Sequence, residues 1–489
     1  MIWNPIKQFK EVLYLEELSF GPSVLPAGWE NLCGQDKRME RRCMRRGLRF
    51  YLALYVSKAA SHLIALLARG RGTNLPGRIA LKIDPRFLAH IQGIDPEKTI
   101  FVTGTNGKST TTNLLYQILR EAGYRVVANL DGANMTTGVA VPLLRNCSLR
   151  GKVRCDYILM ETDERYVTRI RQQIPAKYLC ITNIQKDQVQ RNGEPAFIRE
   201  KLRQAIGPDM TVFINQDEPN TCALAAAGAG RVIRYGVEPN SQSFQKERDF
   251  FSVTMPCPVC HNGIVFHTYN VDNVGPFHCP VCGLHSEETP EYLARDISFS
   301  KKRFTLNGAV YPFTYNVPQF LYSYTLAAAV AGELGVAPEI VAEAFGKYEH
   351  RNDRIAAKKL EGHSFRFFKI KQENSETMQI VADTIAKDPA EKTLIFGFDE
   401  YIDFYPPYLN TCYLFDCSFR RLRESGIRRW VCTSKSLGHT AAVRFLYDGF
   451  DPKTLQVLPD SLEPEIRQEL DGPEDGDVYL VEEIPFWKR

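Results

Sequence analysis

The part of this chain that most constrains its fold runs from Thr99-Ile-Phe-Val through Thr103-Gly-Thr-Asn-Gly-Lys-Ser-Thr110 to Asn113-Leu-Leu-Tyr-Gln-Ile-Leu-Arg-Glu-Ala122. The leading apolar run reads as a buried strand, and the apolar positions after residue 113 recur at helical spacing. A strand that turns through glycines into a helix opening on Lys-Ser aims backbone N–H groups and the positive helix end at one point, where an anion is held. In such a loop Lys108 reaches the terminal phosphates of a nucleotide, and the Ser109 hydroxyl can ligate magnesium. The spacing Gly104-x-x-Gly107-Lys108-Ser109 is tighter than the common Gly-x4-Gly-Lys form. A glycine turn without a ligand is the alternative, and the flanking strand and helix weigh against it.

From about residue 97 strands alternate with helices, which predicts a parallel α/β sheet. Arg125–Asn129, Asp156–Met160, Tyr178–Thr182 and Thr211–Asn215 read as its further strands. Glu161-Thr-Asp-Glu164 follows one of them, and a carboxylate at the C-terminal end of a strand beside a phosphate loop is where magnesium is usually held. Asn215-Gln-Asp-Glu-Pro219 sits at another strand end, where a nucleotide contact and a structural Asx-turn are equally open. Pro318–Gly335 reads as a long apolar helix, and a linker follows near residues 344–351. A second βα alternation begins there, with strands at 364–371, 392–397, 412–419 and 429–434 and helices at 377–386 and 439–447.

Cys257-Pro-Val-Cys260 and Cys279-Pro-Val-Cys282 are the strongest metal signal. Each Cys-x-x-Cys offers two thiolates to one ion, and two such knuckles close a tetrahedral four-sulfur zinc site with no open position, hence a structural one. A pair of disulfides is the weaker alternative. The thirteen cysteines are odd in number and otherwise scattered, and no signal-peptide pattern follows Met1, which predicts reduced thiols in a cytoplasmic protein. A net charge of +4 is too small to argue for nucleic acid, and none is expected as a partner.

Lys37–Arg49 is strongly basic, and Phe50–Ala68 is mostly apolar, broken by Ser57, Lys58, Ser61 and His62 on one narrow helical stripe. The mid-segment charge argues against a spanning helix. Residues 37–71 are thus a candidate peripheral contact to the inner face of a membrane, with a helix packed on the first domain as the plainer reading.

Thr103-Gly-Thr-Asn-Gly-Lys-Ser-Thr110 resembles the ATP loop of the Mur ligases, which build amide bonds through acyl phosphates. Leu75-Pro-Gly-Arg-Ile-Ala-Leu-Lys-Ile-Asp-Pro85, the inserted cysteine pairs and Val443-Arg-Phe-Leu-Tyr-Asp-Gly449 narrow the likeness to MurT-type members, the ligase-like subunit that amidates D-glutamate in lipid II. The resemblance implies a fold of class α/β, with a Mur-ligase-like central P-loop sheet domain carrying an inserted four-cysteine zinc ribbon and a small C-terminal α/β domain. It implies four segments: a basic extension 1–48, a helical lead-in 49–96, a central domain 97–345 with the ribbon at about 252–290, and a C-terminal domain 346–489.

The same resemblance implies ATP on Gly104, Thr105, Asn106, Gly107, Lys108, Ser109, Thr110 and Asn215, and magnesium on Ser109, Glu161 and Asp187. Asp187 closes a family Asn-x-x-x-Asp motif, and Gln188 follows it as in MurT-type members. Leu321 and Tyr324 stand where the family places two asparagines toward adenine. The family's third domain supplies an aspartate that completes a Cys-His-Asp triad in a GatD-like glutaminase partner of a heterodimer. That position aligns with Asn410 or with Asp416, and Asp416 is the candidate beside Lys108 and Glu161 for a catalytic role. A structural aspartate is equally open there. The implied activity is ATP-dependent activation of the D-glutamyl α-carboxylate of lipid II, then capture by ammonia. A ligase using another amine without a glutaminase, and a nucleotide-binding scaffold, are the alternatives.

Overall fold

The computed structural model describes residues 47–67, 74–130, 132–245, 255–315, 317–349, 355–360, 363–370, 373–398, 411–434, 437–458 and 477–483. The basic stretch before residue 47, Gln372 and Asn410 lie outside them.

Two helices lead in, α1 (Leu48–Leu67) and α2 (Leu75–Ile83), the second opened by Pro76 in its first turn. Strand β1 (Thr99–Thr103) then enters a sheet as five consecutive buried residues. Such an unbroken apolar strand is what a sheet covered on both faces demands. Helix α3 (Lys108–Glu121) returns over it, and β2 (Val126–Ala128), α4 (Thr136–Asn146), β3 (Tyr157–Glu161), β4 (Tyr178–Ile181), β5 (Thr211–Asn215) and β6 (Arg231–Val237) continue the parallel winding.

After β6 the chain leaves the sheet for a small hairpin, β7 (Val265–Phe266) and β8 (Phe277–His278), which carries the cysteine pairs. It returns as β9 (Tyr292–Ser298), parallel to β6, and finishes the sheet with the antiparallel β10 (Arg303–Leu306) and β11 (Ala309–Pro312). The nine strands lie in the order β11-β10-β9-β6-β5-β4-β1-β3-β2. Helix α5 (Pro318–Glu333) packs with α3 on one face, in a cluster that includes Leu114, Ile118, Leu326 and Val330. On the other face α1, α2 and α4 bury Phe50, Ala80 and Leu143. Since β1 lies between β3 and β4, the loop after it opens where neighbouring connections run to opposite sides, the crevice in which open α/β sheets bind ligands.

A second sheet of six strands has the order β12-β13-β17-β14-β15-β16. Its members are β12 (Ile355–Leu360), β13 (His363–Ile370), β14 (Lys392–Gly397), β15 (Ile427–Thr433), β16 (Leu455–Leu458) and β17 (Asp477–Glu483). Helices α6 (Ser375–Ala386) and α7 (Gly438–Tyr447) cover one face around Phe396, Trp430 and Phe445.

Residues 412–419, expected as a strand, form no strand: Cys412–Asp416 is a 3-10 turn. Tyr413 and Leu414 of this turn are both buried. The fully buried Arg444 of α7 clamps the turn by donating to the carbonyls of Leu414 and Cys417, while Asp448 balances its charge at 3.0 Å. The interior position in the sheet goes instead to β17, parallel to both β13 and β14.

Candidate active site

Gly104 (φ +124°) and Gly107 (φ +83°) make the turn after β1 possible. A Cβ on Gly104 would lie 2.2 Å from the Thr182 hydroxyl, so only glycine fits against β4 there. The loop is laced to the segment after β4. Thr105 N–H donates to the Asn183 carbonyl at 2.9 Å, Asn106 N–H to Asn183 Oδ1 at 2.9 Å, and Gln185 N–H to Thr105 Oγ1 at 3.0 Å.

Lys108 is buried and folds back over the loop. Its ammonium donates to the Gly104 carbonyl, to the Thr105 carbonyl at 3.1 Å and to Glu164 Oε1 at 3.1 Å. Burial, the largest influence, works against its charge, but Glu164, Glu161, Asp163 and Asp187, in that order, outweigh it and hold the ammonium above its ordinary range. A cation is thus held among four carboxylates. Glu164 belongs to the same Glu161–Glu164 run read from the sequence, where it went unnoticed as the lysine's partner.

Glu161, the last residue of β3, is buried. Asn129 holds its backbone from both sides, accepting from its N–H and donating to its carbonyl at 2.8 Å each, and Asn134 donates to its Oε1 at 3.0 Å. Asp187 is buried too, with Oδ1 accepting from Asn374 at 3.1 Å and Oδ2 from Asn192 at 3.2 Å. Gln188 follows in the left-handed region (φ +45°) and donates its N–H to the Glu373 carbonyl at 3.1 Å.

The resemblance places Asn374 in a stretch, residues 371–375, where the family makes contacts to the acyl group or partner, whereas Glu376 was invisible from the sequence as a site residue. Asn374 caps α6 by accepting from Thr377 N–H at 2.8 Å, and it reaches Asn106 Oδ1 at 3.2 Å besides Asp187. The Glu376 carboxylate accepts from the Asn106 side chain. The start of α6 in the second sheet's layer therefore rests on the phosphate loop. No local pattern betrays a contact across some 270 residues.

Beside the loop lies a cavity of about 190 Å³ lined by Asn106, Gly107, Thr110, Asn215, Gln319 and Phe320. Asn215 makes the Asx-turn, accepting from Asp217 N–H at 3.1 Å and donating to the Thr182 carbonyl at 3.2 Å, and it also lines this cavity. Leu321 and Tyr324 are core residues, Tyr324 accepting from Thr314 N–H at 3.2 Å, whereas Gln319, Phe320 and Ser323 of α5 face the cavity. Next to it Asp217 and Glu218 are fully buried, and burial pushes their carboxyls up to about 6 and about 7.

A larger cavity of about 760 Å³ lies between the first sheet, the cysteine hairpin and the second sheet, and takes in Lys186, Arg199, Arg420, Arg421 and Asp416. Asp416 is exposed at its rim and pairs with Lys186 at 3.2 Å.

The four cysteine sulfurs all lie within 4.8 Å of one another, with Cys257–Cys282 and Cys260–Cys279 at 3.5 Å. A tetrahedral ion with bonds of ~2.3 Å sets its sulfurs ~3.8 Å apart, so the set fits zinc. Both knuckles have the same build: the residue after the second cysteine, His261 (φ +63°) or Gly283 (φ +75°), is left-handed and donates its N–H to the first cysteine's carbonyl. Donation from the Asn262 backbone and side chain lowers the Cys260 thiol to about 6, making a thiolate available near neutral pH.

The parallel sheet, the short phosphate loop and the buried lysine among carboxylates define a phosphate-handling α/β domain, and residues 102–285 match the family model described as Mur ligase middle domain. This chain carries that domain. Over 401 residues it is 24% identical to the MurT subunit of lipid II isoglutaminyl synthase (glutamine-hydrolyzing) of Staphylococcus aureus (strain COL), covering 79% of this chain and 85% of the relative. Over 384 residues it is 25% identical to the Streptococcus pneumoniae (strain ATCC BAA-255 / R6) MurT subunit, covering 78% and 83%. In fold it is similar to a pseudomurein peptide ligase type C from Methanothermus fervidus, with a TM-score of 0.61, 16% identity and 82% and 78% of the two chains covered.

Proposed function

We propose that this chain is an ATP-dependent carbon–nitrogen ligase of MurT type. The observation that carries the reading is Lys108, held charged in a phosphate loop by buried carboxylates, beneath a second domain whose helix α6 touches the same loop. The cavity beside Asn106 and Phe320 suits a nucleotide base, with Gly104 to Thr110 around its phosphates and Asn215 at the cavity wall. Ser109, Glu161 and Asp187 would hold magnesium, which supplies charge neutralisation at the transferring phosphoryl group.

In this reading a carboxylate oxygen of the acceptor attacks the γ-phosphorus, ADP leaves, and an acyl phosphate results. Ammonia then attacks the acyl carbon, inorganic phosphate leaves and an amide forms. Lys108 stabilises the charge that builds on the phosphoryl oxygens. The acceptor is the α-carboxylate of D-glutamate in a lipid II peptide, and the 760 Å³ cavity, with Lys186, Arg199, Arg420 and Arg421, offers cations to such an anionic group. Ammonia comes from a GatD-like glutaminase subunit, and Asp416, exposed at the cavity rim, is the residue available to orient a partner's histidine. The four cysteines hold a structural zinc.

The deciding experiment is ATP turnover with a D-glutamate-containing lipid II acceptor and ammonium supplied directly, with product mass as readout. Amidated product that disappears in Lys108→Ala supports the reading. Nucleotide binding without amidated product turns it toward another amine, or toward a scaffold if no acceptor sustains turnover.

A further inference from the structure

Helix α1 buries Phe50, Ala53, Leu54, Ser57 and Ser61 against the body of the protein. At ~100° per residue these lie within one sector, and Leu48, Leu52, Tyr55, Val56, Leu63 and Leu66 fall on the opposite one. All six are exposed, Leu48 by 87% and Leu66 by 82%. The helix is thus inverted relative to an ordinary surface helix: its serines face inward and its leucines face solvent. The polar stripe expected from the sequence is split between these faces, with Ser57 and Ser61 buried and His62 outside.

Arg49 and Lys58 flank the exposed apolar sector on its two edges, where long cationic side chains hold their charges level with the apolar surface between them. The end of α4 adds to the same region. Arg145 donates to Ser61 at 3.3 Å, and the turn after it exposes Leu149 beside Arg150. From Lys37 to Lys82 the sequence holds twelve lysines and arginines against the single acid Glu40. Among the described residues no helix is long and apolar enough to cross a membrane.

We infer that the outer face of α1 lies on an anionic lipid surface, its leucines and Tyr55 entering the headgroup boundary and its flanking cations meeting the lipid charges. Charge decides among occupants. A second copy of this chain would bring the same cations against themselves, whereas an anionic bilayer complements them along the ~30 Å length of the helix. The inference does not depend on the ligase reading, because lipid binding is read without turnover.

The test is sedimentation of the full chain with vesicles of phosphatidylcholine alone or mixed with phosphatidylglycerol. We expect partition onto the anionic vesicles only, weakened by salt. Leu52→Glu with Leu63→Glu should lower it by about tenfold or more, since each buried leucine is replaced by a charge repelled by the lipid. Both positions are exposed, so unchanged melting and unchanged zinc content certify the fold of the variant. No partition of the wild type, or full partition of the double variant, overturns the inference. A dimer in solution that the double variant splits overturns it as well, by assigning the face to a second copy.

Discussion

Lys108 shows how a single residue is fixed by its surroundings rather than by its loop alone. With its ammonium held above the ordinary value of 10.5, its contribution to stability is fully present below that value and is lost only as pH rises through the higher folded one. It is therefore constant across neutral pH, and only substitution removes it. Lys108→Ala leaves Glu164 buried beside three further carboxylates, and we expect a loss of ~3–5 kcal/mol in denaturant unfolding. Adding Glu164→Gln should restore part of that stability and none of the turnover, giving a coupling of ~1 kcal/mol or more in a double-mutant cycle.

Asp217 and Glu218 also cost stability as pH rises, but within the neutral range in which the contribution of Lys108 is constant. Their folded values, about 6 and about 7, lie above the ordinary 3.8 and 4.5, so the folded protein holds more protons between those limits. Stability is then greatest near the lower limit and falls as pH rises through the folded values. Melting temperatures measured from pH 5 to about 8 should decline, and Glu218→Gln should flatten the decline. A flat wild-type profile would refute the assignment.

Among the elements, the cysteine hairpin has a small core, in which Cys257, Ile264, Phe277 and Cys279 cluster with Cys222 from outside the hairpin. Under the zinc reading, so small a unit would draw much of its stability from the metal. We expect about one zinc per chain by metal analysis, lost in Cys282→Ser together with amide protection across residues 257–286, while the nine-stranded sheet keeps its protection. Retained protection in a zinc-free variant would deny the metal its structural part.

The elements also show what could be read in advance. β1, β3, β4 and β5 were legible because each is an uninterrupted apolar run, and the cysteine pairs because their spacing is itself a geometry. The turn at 412–416 was misread because its conformation is imposed from outside, by a buried arginine thirty residues on. β17 went unseen because its place depends on pairing with strands more than eighty residues earlier. The outward leucines of α1 were hidden for another reason: a helix that is apolar nearly all round gives no sign of which side is inside.

For the whole molecule the decisive feature is the seating of the second sheet's layer on the phosphate loop, through Asn374 on Asp187 and Asn106 and through Glu376 on Asn106. Under the proposed function, forming this contact around bound nucleotide and acceptor would complete the cleft. Asn374→Ala should therefore lower kcat by about tenfold while leaving the melting of the central sheet unchanged, as expected for a group that organises a closure. An unchanged kcat would show the contact to be incidental.

Lys186 and Asp187 are neighbours in the chain, yet one holds Asp416 and the other holds Asn374. Under the reading proposed for this chain, a magnesium ion held by Asp187 would compete with Asn374 for the carboxylate, next to the residue that carries the Asp416 contact. Energetic linkage of this kind runs equally both ways. A protein docking at Asp416 would sense whether the cleft is loaded, and loading would in turn alter how firmly that protein is held. Under the reading proposed for this chain, such timing would keep ammonia from being released before an activated acceptor is ready to consume it.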